Sequence, residues 1–139
     1  MFGLRNASKT PISPQLLKAG KGAYNRHELA LIQRLGTTIH IEAGSTFVTE
    51  GASGQEVLMI LEGTAAVSRD GETIANVGPG DIVGEQSVLL EQPRNASLIA
   101  TTPVVATVFT AREFRDLLHQ SPRLDLQIKD LLAKRAIKN

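Results

Sequence analysis

The chain has 139 residues, 42% of them hydrophobic and 21% charged, with no cysteine and a formal net charge of +1. That length corresponds to one ordinary domain, and the lack of thiols excludes disulfides, thiolate zinc sites and cysteine nucleophiles. The small net charge argues against bulk electrostatic binding of nucleic acid, and the longest apolar runs, such as residues 57–61, are too short to span a membrane.

The N-terminal segment is basic. Residues 1–27 carry five basic and no acidic side chains, whereas residues 28–120 carry five basic and twelve acidic ones. Two prolines and the lack of a continuous apolar stretch argue against a secretory signal at this end. We therefore predict a flexible tail over residues 1–24, a folded domain over residues 25–139 and a cytoplasmic location.

A helix followed by strands is predicted next. Asn25 and Glu28 form a capping box at the start of the helix, and Gly36 ends it. Nine of the twelve glycines lie between Gly36 and Gly84 and separate short apolar stretches, which is typical of a β-sandwich or barrel. Strands are predicted over residues 39–41, 46–49, 57–61, 96–101 and 104–109. A tight hairpin is predicted at residues 69–72, and a strand buried on both faces at residues 57–61.

Two helices are predicted at the C-terminal end. Thr110 and Glu113 form a second capping box, and Pro122 suits the first turn of a last helix. The apolar stripe of that last helix consists of Leu124, Ile128, Leu131 and Leu132. Such a stripe predicts a helix that packs against the strands.

The segment over residues 78–97 has the residue types of an anion site. A glycine-rich turn leads into Gly84-Glu85 and a predicted short helix, whose free N–H groups suit an anion. Arg94 follows a loop and offers a bidentate contact to a phosphate. Glu85 offers a carboxylate that accepts hydrogen bonds from sugar hydroxyls. The combination suggests a ligand with a phosphorylated ribose.

This segment resembles the phosphate-binding cassette of the cyclic-nucleotide-binding domain family. Its two halves here are Gly-Glu-Gln-Ser over residues 84–87 and Pro-Arg-Asn-Ala-Ser over residues 93–97. The likeness is closest to regulatory subunits of cAMP-dependent protein kinase and to catabolite-activator-type sensors, and it covers residues 25–137. It implies a mainly β fold with flanking helices: an antiparallel eight-stranded jelly-roll-type β-barrel with an N-terminal helix, a short cassette helix and C-terminal helices.

The resemblance also implies roles for the cassette residues. Glu85 would bind the ribose 2′-hydroxyl, and Arg94 the exocyclic oxygens of the cyclic phosphate. Gly84 would let the backbone approach the sugar, and the backbone N–H of Ser87 would bind the phosphate. Gln86 stands where the family usually has an apolar residue.

Three further residues complete the expected site. The backbone N–H of Asn95 or Ala96 would bind the phosphate, and Val67 would pack against the base. Asn95 stands where relatives carry Ala, Ser or Thr, so the base preference is left open.

The resulting hypothesis is a non-enzymatic sensor of a 3′,5′-cyclic nucleotide, with cAMP first and cGMP second, that moves its C-terminal helices on binding. Because the length is filled by one such domain, we expect a stand-alone module with no cofactor and with a homodimer as an option. It would act on a partner chain, serve as a simple sensing or sequestering protein, or be an excised piece of a longer protein.

Two other readings stay open. The fold could be a degenerate scaffold for protein contacts, with Glu85 and Arg94 as a structural ion pair. A cupin-type metalloenzyme would need a histidine cluster, but only His40 falls on a predicted strand, so no metal is expected.

Overall fold

Two four-stranded sheets and three helices make up the chain over residues 24–84 and 93–138, which a computed structural model describes. For residues 131, 132 and 134–138 it describes the backbone alone. The predicted tail, except Tyr24, and the predicted cassette helix lie outside the described residues. The helices are α1 (Arg26–Leu35), α2 (Ala111–Gln120) and α3 (Pro122–Lys138). The strands are β1 (Thr37–Ile41), β2 (Thr46–Val48), β3 (Glu56–Glu62), β4 (Ala65–Arg69), β5 (Glu72–Val77), β6 (Ile82–Val83), β7 (Ser97–Ala100) and β8 (Val104–Thr110).

The sheets have the strand orders β1–β8–β3–β6 and β2–β7–β4–β5, with antiparallel pairing throughout. This confirms a mainly β, jelly-roll-type fold with flanking helices. The expectation of a closed barrel is corrected, because the described strands pair within two separate sheets. Among the described residues, each edge strand, namely β1, β6, β2 and β5, pairs only with its neighbour in its own sheet.

The caps of α1 and α2 agree with the sequence prediction. The side chain of Asn25 accepts from the N–H of Glu28 at 2.8 Å, and Glu28 Oε1 accepts from the N–H of Asn25 at 2.9 Å. Thr110 and Glu113 form the same reciprocal pair at 3.1 and 2.8 Å. Each box satisfies two donors that a helix start leaves unpaired, and so fixes where the helix begins.

The tight hairpin between β4 and β5 is also present. Asp70 and Gly71 occupy its two central positions with φ of 54° and 81°. Positive φ at both positions is the geometry of a type I′ turn, which matches the twist of the strands it joins. The Asp-Gly dipeptide therefore specifies this connection locally.

Two hydrophobic cores share strand β3. Leu58 and Ile60 point into the first core, between the sheets, whereas Val57, Met59 and Leu61 belong to the second, between the first sheet and the helices. All five are at most 5% exposed, which confirms the predicted strand buried on both faces. Alternate side chains of one strand thus connect the inter-sheet core to the helical layer.

Helix α3 packs on the second core through Leu124 and Ile128, both buried. Pro122 is its first residue, as predicted, and Ser121 Oγ accepts from the N–H of Leu124 at 3.2 Å. The side chains of Leu131 and Leu132, the rest of the predicted stripe, lie outside the described residues.

A buried carboxylate joins α1 to α3. Glu28 is 1% exposed, and its Oε1 lies 3.4 Å from Nη1 of Arg123 in the first turn of α3. Its Oε2 is buried without a hydrogen-bond partner. The buried carboxylate of Glu28 therefore connects α1 to the first turn of α3 through Arg123.

Candidate functional site

The two halves of the predicted cassette meet at Arg94. Gly84 follows the short strand β6, and Arg94 lies three residues before β7, so the two come from different sheets. Gln86, Ser87 and Glu85 lie outside the described residues, and their predicted roles stay predictions.

The guanidinium of Arg94 is held inside the protein. The residue is 5% exposed; its Nη1 donates to the carbonyl oxygen of Gly84 at 3.0 Å, and its Nη2 donates to that of Glu56 at 2.8 Å. Carbonyl oxygens orient the cation but bring no full negative charge of their own. The two contacts fix the orientation of the guanidinium, the side-chain group whose forked N–H donors can bind two oxygens of a phosphate.

The backbone of Arg94 is fixed as well. Its N–H donates to the carbonyl of Ala52 at 2.9 Å, and its carbonyl accepts from the N–H of Gly51 at 2.8 Å. Both partners belong to the β2–β3 loop, residues 49–55. This reciprocal pair extends the contact between the chain segments of β2 and β7 up to the arginine.

Gly84 has a conformation that favours glycine. Its φ is +87°, and a Cβ at this position would lie 2.9 Å from the carbonyl oxygen of Glu56 and overlap Nη1 of Arg94. The close approach that the structure shows at Gly84 is thus to the arginine. The predicted approach to a sugar stays a prediction.

The predicted base-contact residue lies on the β4–β5 hairpin. Val67 is half-buried and packs against the first core, and its cross-strand partner Ala75 is exposed. Opposite residues of an antiparallel pair face the same side of the sheet. The hairpin therefore presents a small apolar surface with one end in the core.

Asn95 and Ala96 differ in their surroundings. Asn95 is exposed, and its backbone carbonyl accepts from Nε of Arg69 at 2.9 Å. Ala96 is buried, at 7% exposure. Arg69, at the end of β4, was not among the residues singled out from the sequence, and its contact ties the hairpin to the residue after Arg94.

Sequence reasoning missed the β2–β3 loop as part of this site. Gly51, Ala52 and Gly54 of this loop contact Arg94 through backbone atoms, and so does Glu56 at the start of β3. The spacing of Gly51 and Gly54 was the available signal, since glycines allow close backbone approach.

The described residues also bear on metal binding and on membrane spans. Among residues 24–84 and 93–138, no group of three or more His, Asp or Glu side chains is placed to hold a metal ion. None of the helices in those ranges combines the length and apolar character needed to cross a membrane.

Comparison with known proteins decides the family. The family model for the cyclic nucleotide-binding domain matches residues 38–121. The chain belongs to the cyclic nucleotide-binding domain family. The match runs from the second residue of β1 to the end of α2, and so contains every described residue of the candidate site.

Similar proteins carry this domain in longer chains. The Pycsar effector protein XpPycTIR of Xanthomonas perforans is 35% identical over 113 residues, which are 80% of this chain and 37% of that protein. The cAMP-dependent protein kinase regulatory subunit of Yarrowia lipolytica is 32% identical over 106 residues, 75% of this chain and 27% of that protein. This cyclic nucleotide-binding domain thus spans less than two-fifths of either relative.

A solved structure shares the fold. The catabolite activator protein of Thermus thermophilus superposes with a TM-score of 0.73 and 23% identity, covering 88% of this chain and 58% of that one. At this identity the likeness to the catabolite activator protein shows a shared fold.

Proposed function

We propose that this domain is a non-enzymatic regulatory module that binds a 3′,5′-cyclic nucleotide, with cAMP as the ligand and cGMP as the second candidate. The observation that carries the proposal is the buried guanidinium of Arg94, oriented by the backbone carbonyls of Gly84 and Glu56.

The phosphate would be bound by Arg94 through its exocyclic oxygens, which are spaced to accept two parallel N–H donors. Binding would exchange or share the carbonyl contacts of the guanidinium, and backbone N–H groups of Ser87 and of Asn95 or Ala96 would add donors. Glu85 would accept a hydrogen bond from the ribose 2′-hydroxyl.

The base would lie against Val67 on the β4–β5 hairpin. An apolar, half-buried valine suits the face of any base and selects none. We name cAMP first because the Yarrowia relative is a cAMP-dependent regulatory subunit. Asn95, exposed beside Arg94, has an amide that can donate to or accept from a base edge, and so is the residue to vary when base preference is measured.

The response would be a shift of α2 and α3. Leu124 and Ile128 pack on the core that also contains β3 residues, and β3 begins at Glu56, whose carbonyl binds Arg94. Ligand that draws the guanidinium away from this carbonyl changes the constraint on β3. Displacement of α3 would then change the contacts of this helix with the surface of a partner protein.

Calorimetric titration with cAMP, cGMP, cCMP and cUMP tests the proposal. We expect saturable binding of at least one of them, tightest for cAMP. Each binding nucleotide should also raise the melting temperature, because a ligand that binds only the native state stabilises it. A folded protein that binds none of the four, with one melting temperature throughout, would favour the ligand-free scaffold instead.

A further inference from the structure

The β2–β3 loop contains a buried glycine in contact with Arg94. Gly54 is buried, and a Cβ built on it would overlap Nε, Cζ and Nη2 of the guanidinium. Gly84 contacts the same group on its Nη1 side, since a Cβ built there would overlap Nη1 and lie 3.2 Å from Cζ. Two glycines from separate segments thus line the guanidinium.

The backbone conformation of Gly54 does not require glycine. Its φ lies outside the left-handed region, in contrast to Gly44, Gly51 and Gly84 with φ between 82° and 87°. The backbone at position 54 is therefore not in the left-handed region that disfavours alanine, and the three atoms nearest to an added Cβ all belong to the arginine. The neighbour, and not the dihedral angle, explains this glycine.

We propose that Gly54 is a positioning residue for the ligand: its missing side chain sets where the guanidinium of Arg94 lies. The proposal rests on the function proposed above, in which Arg94 binds the cyclic phosphate. An added methyl group must be accommodated at ordinary contact distances of 3.4–4 Å, so the guanidinium has to move. A recognition group needs to stay within about 0.5 Å of its productive position, so such a shift weakens bidentate binding.

The shift also removes the existing contacts of the guanidinium. Nη2 of Arg94 lies 2.8 Å from the carbonyl oxygen of Glu56, and a displacement of about 1 Å takes this distance beyond hydrogen-bonding range. Gly54→Ala should therefore act on ligand affinity and on stability through one and the same side chain, Arg94.

Gly54→Ala and Gly44→Ala form a matched pair for the test. Gly44 lies in the β1–β2 turn with φ +87°, and nothing lies within 4 Å of a Cβ built there. Gly44→Ala strains the backbone without a contact, and we expect a fall in melting temperature of about 3–4 °C and cAMP affinity within about twofold of wild type. Gly54→Ala should weaken cAMP binding by about tenfold or more.

A double-mutant cycle without ligand tests the contact itself. In an Arg94→Ala background the space of the guanidinium is vacant for the methyl group, so Gly54→Ala should lower the melting temperature no further. If Gly54→Ala alone is too unstable to purify, the double variant should fold again. Equal destabilisation by Gly54→Ala with and without Arg94 overturns the proposal, and so does wild-type cAMP affinity in Gly54→Ala.

Different experiments refute the proposed nucleotide binding and the proposed role of Gly54. A wild-type protein that binds none of the four nucleotides refutes the proposed function. The ligand-free cycle still reports whether Gly54 sets the position of Arg94, because it measures melting temperatures and needs no ligand.

Discussion

Arg94→Lys separates the charge at this position from the forked shape of the guanidinium. In the structure, Nη1 and Nη2 donate to the carbonyls of Gly84 and Glu56 at 3.0 and 2.8 Å. Lysine carries a single nitrogen on a flexible stem, so it can hold its charge near one carbonyl but cannot reproduce the pair of fixed donors.

The magnitude follows from one lost donor. A buried carbonyl left without its partner costs about 1–3 kcal/mol, and we take about 2 kcal/mol for Arg94→Lys. At about 3 °C per kcal/mol for a domain of this size, the melting temperature should fall by about 6 °C. In the complex, one charge-assisted hydrogen bond to phosphate is lost, about 1.5–3 kcal/mol, so Kd should rise about 10- to 150-fold.

Differential scanning calorimetry of the free protein and isothermal titration with cAMP measure both effects. Arg115→Lys, on the exposed side of α2, is the control and should change Kd by less than about twofold. Arg94→Leu, which keeps no donor, should bind at least as weakly as Arg94→Lys. An Arg94→Lys protein with wild-type melting temperature and wild-type Kd would refute the reasoning that both carbonyl contacts matter.

Two further predictions concern the helices and are measured by urea unfolding. Glu28→Ala should lower the free energy of unfolding by about 1–2 kcal/mol, and by more than Glu113→Ala, because the second capping box lacks the burial and the arginine contact. Equal losses would contradict a role of the α1–α3 contact. Leu124→Ala should cost about 2–5 kcal/mol, and Leu126→Ala, 68% exposed in wild type, about 0.5 kcal/mol or less. Similar values for both leucines would contradict the packing of α3.

Local features of the fold could be predicted from the sequence because neighbouring residues specify them. The capping boxes at Asn25 and Thr110 need only a partner three residues away. The hairpin at Asp70 needs only a dipeptide that accepts positive φ. The separation into two sheets, by contrast, depends on which strands meet in space, and the pairing of the two-residue strand β6 with β3 leaves no periodic signal.

The candidate site divides in the same way. Arg94 and Gly84 were predicted from the cassette and do lie together. The partners of the arginine, at Ala52, Gly54 and Glu56, are about 40 residues earlier in the chain and contact it through backbone atoms or through a missing side chain. Backbone carbonyls occur at every residue, so nothing in the sequence marks those that bind Arg94.

The backbone amides of strand β3 can serve as the reference with which hydrogen exchange in α3 is compared. The backbone of β3 pairs with β8 along most of its length and with β6 at Leu58 and Met59, and its side chains are buried on both sides. Amides in such a strand exchange only when the whole domain opens, so their protection reports the global free energy of unfolding. Added nucleotide would slow these amides according to its binding free energy alone, whereas any extra change in α3 would report the movement of that helix.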